Sequence, residues 1–150
     1  KSDLEQALDV FQPDIIQCPF NILDNRMLQN NYLSKLSRLG IEIHVRSIFL
    51  QGLLTRDSES IPNDFKKFKS FWTQWHLWLK SNKLQPVEAC IRYVNSINEI
   101  DKIIVGVNST LHMKEIINYY IKPPIYQAPS WNSVLKKELI DPRLWKKNKT

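Results

Sequence analysis

The chain has 150 residues and a mass of 17.8 kDa, and 43% of its residues are hydrophobic, which suits one packed domain. Its 11% aromatic residues exclude intrinsic disorder, and its three glycines exclude collagen-like and glycine-rich linker classes. The mean hydropathy is −0.36 and no long apolar run is present, which predicts a soluble protein. The net charge of +6 and the pI near 9.3 are compatible with polyphosphate ligands and with nucleic acid, and charge alone does not choose between them.

The chain is predicted to open with a helix, a strand and a second helix. Residues 2–5, Ser-Asp-Leu-Glu, fit a capping box, and an apolar helical stripe follows until Pro13. Residues 14–20 form a short, largely apolar run of the kind that buried parallel strands show. Leucine and tyrosine side chains then recur at helical spacing over residues 28–39, and Gly40 follows as a left-handed residue after the helix end.

The second predicted strand, residues 41–47, alternates between an apolar face and a polar face. The polar face carries three ionisable side chains, Glu42, His44 and Arg46. A helix starting near Asn63 comes next and has an aromatic-rich stripe at helical spacing. Its members are Phe65, Phe68, Trp72, Trp75 and Leu79.

The last predicted elements are a helix, a strand and a helix. The helix begins at Pro86, and its inner face is formed by Val87, Cys90, Ile91 and Val94. Residues 102–107 read as another buried strand, after which residues 109–110 cap a helix. The apolar residues of that helix are Leu111, Met113, Ile117, Tyr120 and Ile121.

This order predicts an α/β fold built from parallel (β/α) units. Three parallel strands are few, because a parallel sheet needs both faces covered and here at least one edge would be open. A closed eight-stranded barrel normally needs ~250 residues, so the chain corresponds to little over half of one. The chain has no initiator Met and opens inside a helix pattern, so we expect a fragment.

Polar residues fall near the carboxyl ends of the predicted strands, where parallel α/β folds bind ligands. Gln17 lies within the first strand, and it either contacts a ligand or bonds a neighbouring segment. Glu42 and His44 either face a ligand or form an internal charge network. The segment 106–110, Gly-Val-Asn-Ser-Thr, has the general form of an anion site at a helix N-terminus, although an ordinary capped turn is the commoner structure.

Other sites are not indicated. His76 and His112 have no partner at metal spacing, so we expect no metal site, and no catalytic triad or carboxylate pair can be argued. The aromatic run 71–78 is interpreted as core rather than as a base-stacking surface. Cys18 and Cys90 are expected to be buried thiols in a reducing compartment, with the cytoplasm as the default location.

Three segments resemble the C-terminal part of aldo-keto reductases: residues 13–21, 40–54 and 103–109. The resemblance implies that the three strands are the sixth to eighth of a TIM (β/α)8 barrel. It implies a partial barrel over residues 1–122, and a basic tail follows over 123–150. The charge of residues 136–150 predicts that this end of the tail is solvated. The resemblance also implies an oxidoreductase that transfers hydride from NADPH or NADH to a small carbonyl substrate.

The resemblance assigns contacts with the nicotinamide end of the cofactor to two strands. Gln17 matches the glutamine that binds the nicotinamide carboxamide. Arg46 stands where the family usually has a tyrosine that stacks on the nicotinamide, and an arginine can cover a ring face. The loop after the second strand matches the segment that follows the pyrophosphate, through Ser47, Phe49, Gln51 and Gly52.

The adenosine end is assigned to the segment after the third strand. Its matching residues are Gly106, Asn108 and Ser109, with His112 where the family often has a glutamine that contacts adenine. Asn108 replaces an arginine that often binds the 2′-phosphate, which leaves NADPH and NADH both open. Ile116 replaces a polar adenine contact.

The family's catalytic Asp, Tyr, Lys and His come from its first four strands, so no catalytic residue is assigned to this chain. The main hypothesis is the cofactor-binding part of an aldo-keto reductase, catalytic only with its missing N-terminal half. A second hypothesis is a non-catalytic binding or assembly module of the same fold, which self-associates to cover its open sheet edge. A basic nucleic-acid-binding module ranks last.

Overall fold

A computed structural model describes residues 3–129 and 137–145. Ser2 of the predicted capping box and the basic residues 146–150 lie outside the described residues. The described chain has three strands, β1 (Ile15–Pro19), β2 (Glu42–Arg46) and β3 (Lys102–Ile103). Its α-helices are α1 (Asp3–Val10), α2 (Arg26–Gln29), α3 (Tyr32–Arg38), α4 (Lys69–Ser81), α5 (Pro86–Val94), α6 (Thr110–Tyr120) and α7 (Lys137–Ile140). Short 3-10 helices lie at Leu53–Thr55, Ser58–Ser60, Asn63–Phe68 and Pro142–Leu144.

The three strands form one parallel sheet in the order β1-β2-β3. Gln17 lies opposite His44 across the first pair, and His44 lies opposite Lys102 across the second. Parallel strands require crossover connections, which α2 and α3 provide before β2, and α4 and α5 provide before β3. The prediction of parallel (β/α) units is therefore confirmed. Across residues 3–129 and 137–145, every helix is too short or too polar to cross a membrane.

The hydrophobic core includes one face of the sheet and the helices that cover it. Ile43 and Val45 of β2 are fully buried on this face, whereas the polar residues that alternate with them are more exposed. Cys18 and Cys90 are both buried and unpaired, as expected. Burial raises the pKa of the Cys18 thiol to about 11 and also raises that of Cys90, so both are inert as nucleophiles at neutral pH.

The aromatic stripe of α4 belongs to the core, as its spacing predicts. Trp72, Trp75 and Leu79 are buried on one side of the helix, together with Phe71. The α-helix begins later than predicted, because residues 63–68 form a 3-10 helix that leads into it. The interpretation of this run as core rather than as a base-stacking surface is confirmed.

The helical region before β2 contains two helices where the spacing predicts one. Asn31 has a φ of 56° and separates α2 from α3, because a left-handed residue cannot continue an α-helix. The predicted end at Gly40 is confirmed, since its φ is 73°. Its N–H donates to the Ser37 carbonyl, and that of Ile41 donates to the Leu36 carbonyl, which is the Schellman arrangement.

The prediction of a buried strand over residues 102–107 is wrong. β3 covers Lys102–Ile103 instead of residues 102–107, and it is not buried, because within the described chain it is an edge strand with a neighbour on one side only. Ile116 and Tyr119 of α6 pack against the core, whereas the apolar residues named from the sequence for this helix are exposed. The exposed side chains are Leu111, Met113, Ile117, Tyr120 and Ile121.

The expectation of a solvated C-terminal tail is wrong for residues 137–145. Leu139 and Ile140 of α7 are buried in the core. The Trp145 ring contacts the Phe65 ring edge-on, with centroids 4.7 Å apart, and Lys67 donates to Glu138 at 3.0 Å. The segment therefore packs against the connection between β2 and α4.

The ionised carboxylate of Asp141 is expected to stabilise this C-terminal segment. It accepts bonds from the Arg143 side chain at 2.7 and 2.9 Å, and this pairing lowers its pKa to about 2. Because the folded-state pKa lies below the unfolded value, the stabilisation is present above pH ~4 and is lost as the pH falls towards 2. Thermal unfolding of the wild type and of Asp141→Asn should show a Tm difference at pH 7 that vanishes near pH 2. A difference independent of pH would contradict this role.

Candidate functional site

A cavity of about 670 Å³ lies at the carboxyl ends of β2 and β3. The loop after β2 forms one wall, the segment after β3 forms a second, and α6 forms the third. Eight of the ten residues that the resemblance assigns to a cofactor line this cavity. They are Arg46, Ser47, Phe49, Gln51, Gly52, Gly106, Asn108 and His112.

The two remaining assigned residues lie outside the cavity lining. Gln17 is exposed on β1, beside His44 on the open polar face of the sheet. Ser109 is the N-cap of α6, and its hydroxyl accepts from the His112 N–H at 3.2 Å. The capped turn that the sequence allows is therefore present, and it places the start of α6 beside the cavity.

The loop after β2 has a strained backbone. Ser47, Leu50 and Gln51 have φ values of 60°, 49° and 55°, and Gly52 follows at 78°. Non-glycine residues seldom adopt this left-handed conformation, and each one costs free energy that the surrounding structure must supply. Strain of this kind is concentrated at ligand sites, which makes the loop a candidate binding segment.

Asn21 joins the end of β1 to this strained loop. Its side chain is almost completely buried, and its Nδ2 donates to the Ser47 carbonyl at 3.1 Å. Its Oδ1 accepts from the backbone N–H groups of Leu23 and Asp24 at 3.0 and 2.7 Å. Its position just past an apolar strand is visible in the sequence, but the sequence does not show that it holds the neighbouring loop.

Arg46 carries the positive charge of the cavity. Its Nη1 donates to the Ser47 hydroxyl at 3.2 Å, and the side chain is exposed. No carboxylate of residues 3–129 or 137–145 forms an ion pair with it. A guanidinium at the carboxyl end of a parallel strand can bind an anion or cover a planar ring.

Glu42 and His44 form the internal network that the sequence leaves open. Glu42 Oε1 accepts from Lys102 Nζ at 2.6 Å and lies 2.8 Å from His44 Nε2. The bond from Lys102 and then that from His44 lower the pKa of Glu42. The described ranges contain no group of three or more His, Cys, Asp or Glu side chains able to hold a metal ion.

The comparisons with known proteins identify the family. The model of the aldo/keto reductase family matches residues 2–136, so the chain belongs to this family. Among solved structures, the aldo-keto reductase AKR11C1 from Bacillus halodurans, in its holo and apo forms, matches with a TM-score of 0.60 and 17% identity. The match covers 81% of this chain and 42% of that one. A search of curated proteins found no match.

These matches confirm the resemblance and the fold. The three parallel strands and their helices correspond to part of an aldo-keto reductase TIM barrel. The chain spans less than half the length of the reductase it matches, so five of eight barrel strands have no counterpart among the described residues.

Proposed function

We propose that this chain forms the cofactor-binding part of an NAD(P)H-dependent oxidoreductase that reduces small carbonyl compounds. The observation that carries the proposal is the cavity, which brings eight residues of two separate sequence segments, 46–52 and 106–112, together at the carboxyl ends of β2 and β3. Ligands of TIM barrels bind at this end of the strands. Family membership supplies the reaction class.

The residues around the cavity fit a dinucleotide. A Cβ added at Gly106 would meet no atom within 4 Å, so the backbone here is open to close approach by a ligand. The N-terminus of α6 supplies positive potential for a pyrophosphate. Gln17, on the open face of the sheet, supplies an amide that matches a carboxamide.

A bound nicotinamide nucleotide supplies the hydride for carbonyl reduction. In the proposal, Arg46 covers the ring, and the loop that begins at Ser47 holds the pyrophosphate. The proton for the carbonyl oxygen comes from an acid outside this chain, because no catalytic residue is assigned to it. Turnover therefore requires the remaining barrel strands, and the buried free thiols agree with a reducing, cytoplasmic location.

The variant Gly106→Ala tests the cofactor site. Since the added methyl group meets open space, folding stability should be unchanged, whereas a ligand against this backbone would be displaced. We expect tenfold weaker NADH and NADPH binding, measured by quenching of tryptophan emission, with an unchanged Tm. Asn118→Ala, on an exposed position of α6, is the control and should bind like the wild type. Wild-type chain that binds neither nucleotide would refute the cofactor site.

A non-catalytic assembly module is the second candidate, and the exposed apolar stripe of α6 favours it. Leu111 and Ile121 are about three-quarters exposed, at 75% and 74%, next to a parallel sheet with an open edge. Surfaces of this kind commonly mark protein contacts. Sedimentation that shows concentration-dependent dimers, together with absent nucleotide binding, would select this function over the reductase.

A further inference from the structure

The cavity has two ends with different chemistry. Arg46 belongs to the wall at the end of β2, on the polar face of the sheet, which we call the Arg46 end. Asn108, His112 and Glu115 belong to the wall formed by the segment after β3 and by α6, which we call the α6 end. In a barrel, reaction takes place over the carboxyl ends of the strands, where side chains of several strands converge. On the proposed function, the reacting ring therefore lies at the Arg46 end, and the adenosine lies at the α6 end.

The α6 end has no fixed positive charge among the described cavity residues. Asn108 is neutral, Ile116 is apolar, and Glu115 is a carboxylate. Among the described residues that line the cavity, Arg46 is the one with a permanently charged cationic side chain, and it belongs to the opposite end. Lys114 is next to Glu115 in sequence, but it is exposed and does not line the cavity.

The Glu115 carboxylate at this end also contacts the Tyr119 hydroxyl on the next turn of α6. Burial first, and then the Glu115 carboxylate, raise the pKa of the Tyr119 hydroxyl, which is hydrogen-bonded to Glu115. Glu88, buried beneath α6 and paired with Arg92 and Lys122, raises this pKa further.

We infer that this site prefers NADH over NADPH, an inference that rests on the proposed cofactor site. The two nucleotides differ by one 2′-phosphate, which carries a charge of about −1.5 to −2. A phosphate needs cationic partners and is repelled by a carboxylate, whereas a free 2′-hydroxyl can donate to a carboxylate or an amide. Asn108 and Glu115 suit the hydroxyl.

Calorimetric titration of the 150-residue chain with NADH and with NADPH tests this preference. It is run at 0.15 M salt, where the long-range field of the net charge is largely screened, and at pH 8, where imidazole side chains are ordinarily neutral. We expect NADH to bind at least tenfold more tightly. Equal or tighter NADPH binding would overturn the preference and leave the proposed function standing, whereas binding of neither nucleotide would overturn the proposed function itself.

Two variants locate the discrimination. Asn108→Arg should tighten NADPH binding at least tenfold and change NADH binding by less than threefold, and Glu115→Gln should act in the same direction with a smaller effect. Asn118→Arg adds the same charge to α6 outside the cavity and should leave the ratio of the two affinities unchanged. If Asn108→Arg and Asn118→Arg change this ratio equally, the preference does not arise at the cavity.

Discussion

Replacing Trp75 by alanine is expected to lower the free energy of unfolding by roughly 4 kcal/mol, the range measured for aromatic truncations in protein cores. The side chain is fully buried in the middle of α4. Its indole N–H donates to the Leu54 carbonyl at 3.1 Å, and its ring stacks on Trp78 at 5.5 Å. The variant loses buried apolar area, leaves a cavity and leaves the Leu54 carbonyl without this donor.

Urea denaturation followed by circular dichroism measures the loss. Leu77→Ala is the matched control on the same helix, because Leu77 is 58% exposed, and it should cost less than about 1 kcal/mol. Trp75→Phe keeps most of the buried ring but not the N–H, so its cost should lie between the two. If Trp75→Ala and Leu77→Ala cost the same, the aromatic stripe would not be core.

The aromatic stripe could be predicted from sequence because its periodicity and its burial have the same cause. A helix that packs one face into a core needs apolar side chains at intervals of three and four, and residues 65–79 supply them. The alternation in β2 and the glycine after α3 are equally local signals. Both predictions were confirmed, because Ile43 and Val45 are buried and Gly40 has a left-handed backbone conformation.

The features that depend on tertiary context could not be predicted. The sequence pattern identifies the apolar residues of α6, but it does not show whether another element covers them. In the structure Leu111 and Ile121 are exposed. The same holds for β3, which is short because its second edge has no neighbour in the described chain. Conversely, the lysines around Leu139 suggested a solvated tail, yet that leucine is buried.

Eight of the ten predicted site residues line the cavity, whereas Gln17 and Ser109 do not, and the conformation of the loop after β2 was not predicted. The carboxyl ends of parallel strands necessarily meet at one end of a sheet, so residues from β2 and β3 come together. No sequence signal marks the left-handed conformations of Leu50 and Gln51, because both residue types usually avoid them. The buried tether from Asn21 to Ser47 likewise joins residues 26 positions apart.

Replacing Asn21 by alanine is therefore expected to have the second-largest effect, a loss of about 3 kcal/mol in stability. The variant leaves the buried N–H groups of Leu23 and Asp24 without their acceptor, and each unsatisfied group costs about 1–3 kcal/mol. It also releases the carbonyl of Ser47, whose strained backbone depends on surrounding contacts. Nucleotide affinity should fall with stability, because the loop that lines the cavity loses its tether.

Asn21→Asp separates these two consequences. A carboxylate still accepts from both N–H groups, so the turn after β1 should be retained and the loss of stability should be smaller. In this variant a carboxylate oxygen replaces the amide N–H that donates to the Ser47 carbonyl. The two oxygens repel each other, so the loop should be displaced and nucleotide binding should weaken as much as in the alanine variant. Asn82→Ala is the control, because Asn82 is exposed and its side chain donates to the carbonyl of Trp78, one turn earlier in the same helix. If Asn21→Asp bound nucleotide like the wild type, the tether would stabilise the fold without shaping the site.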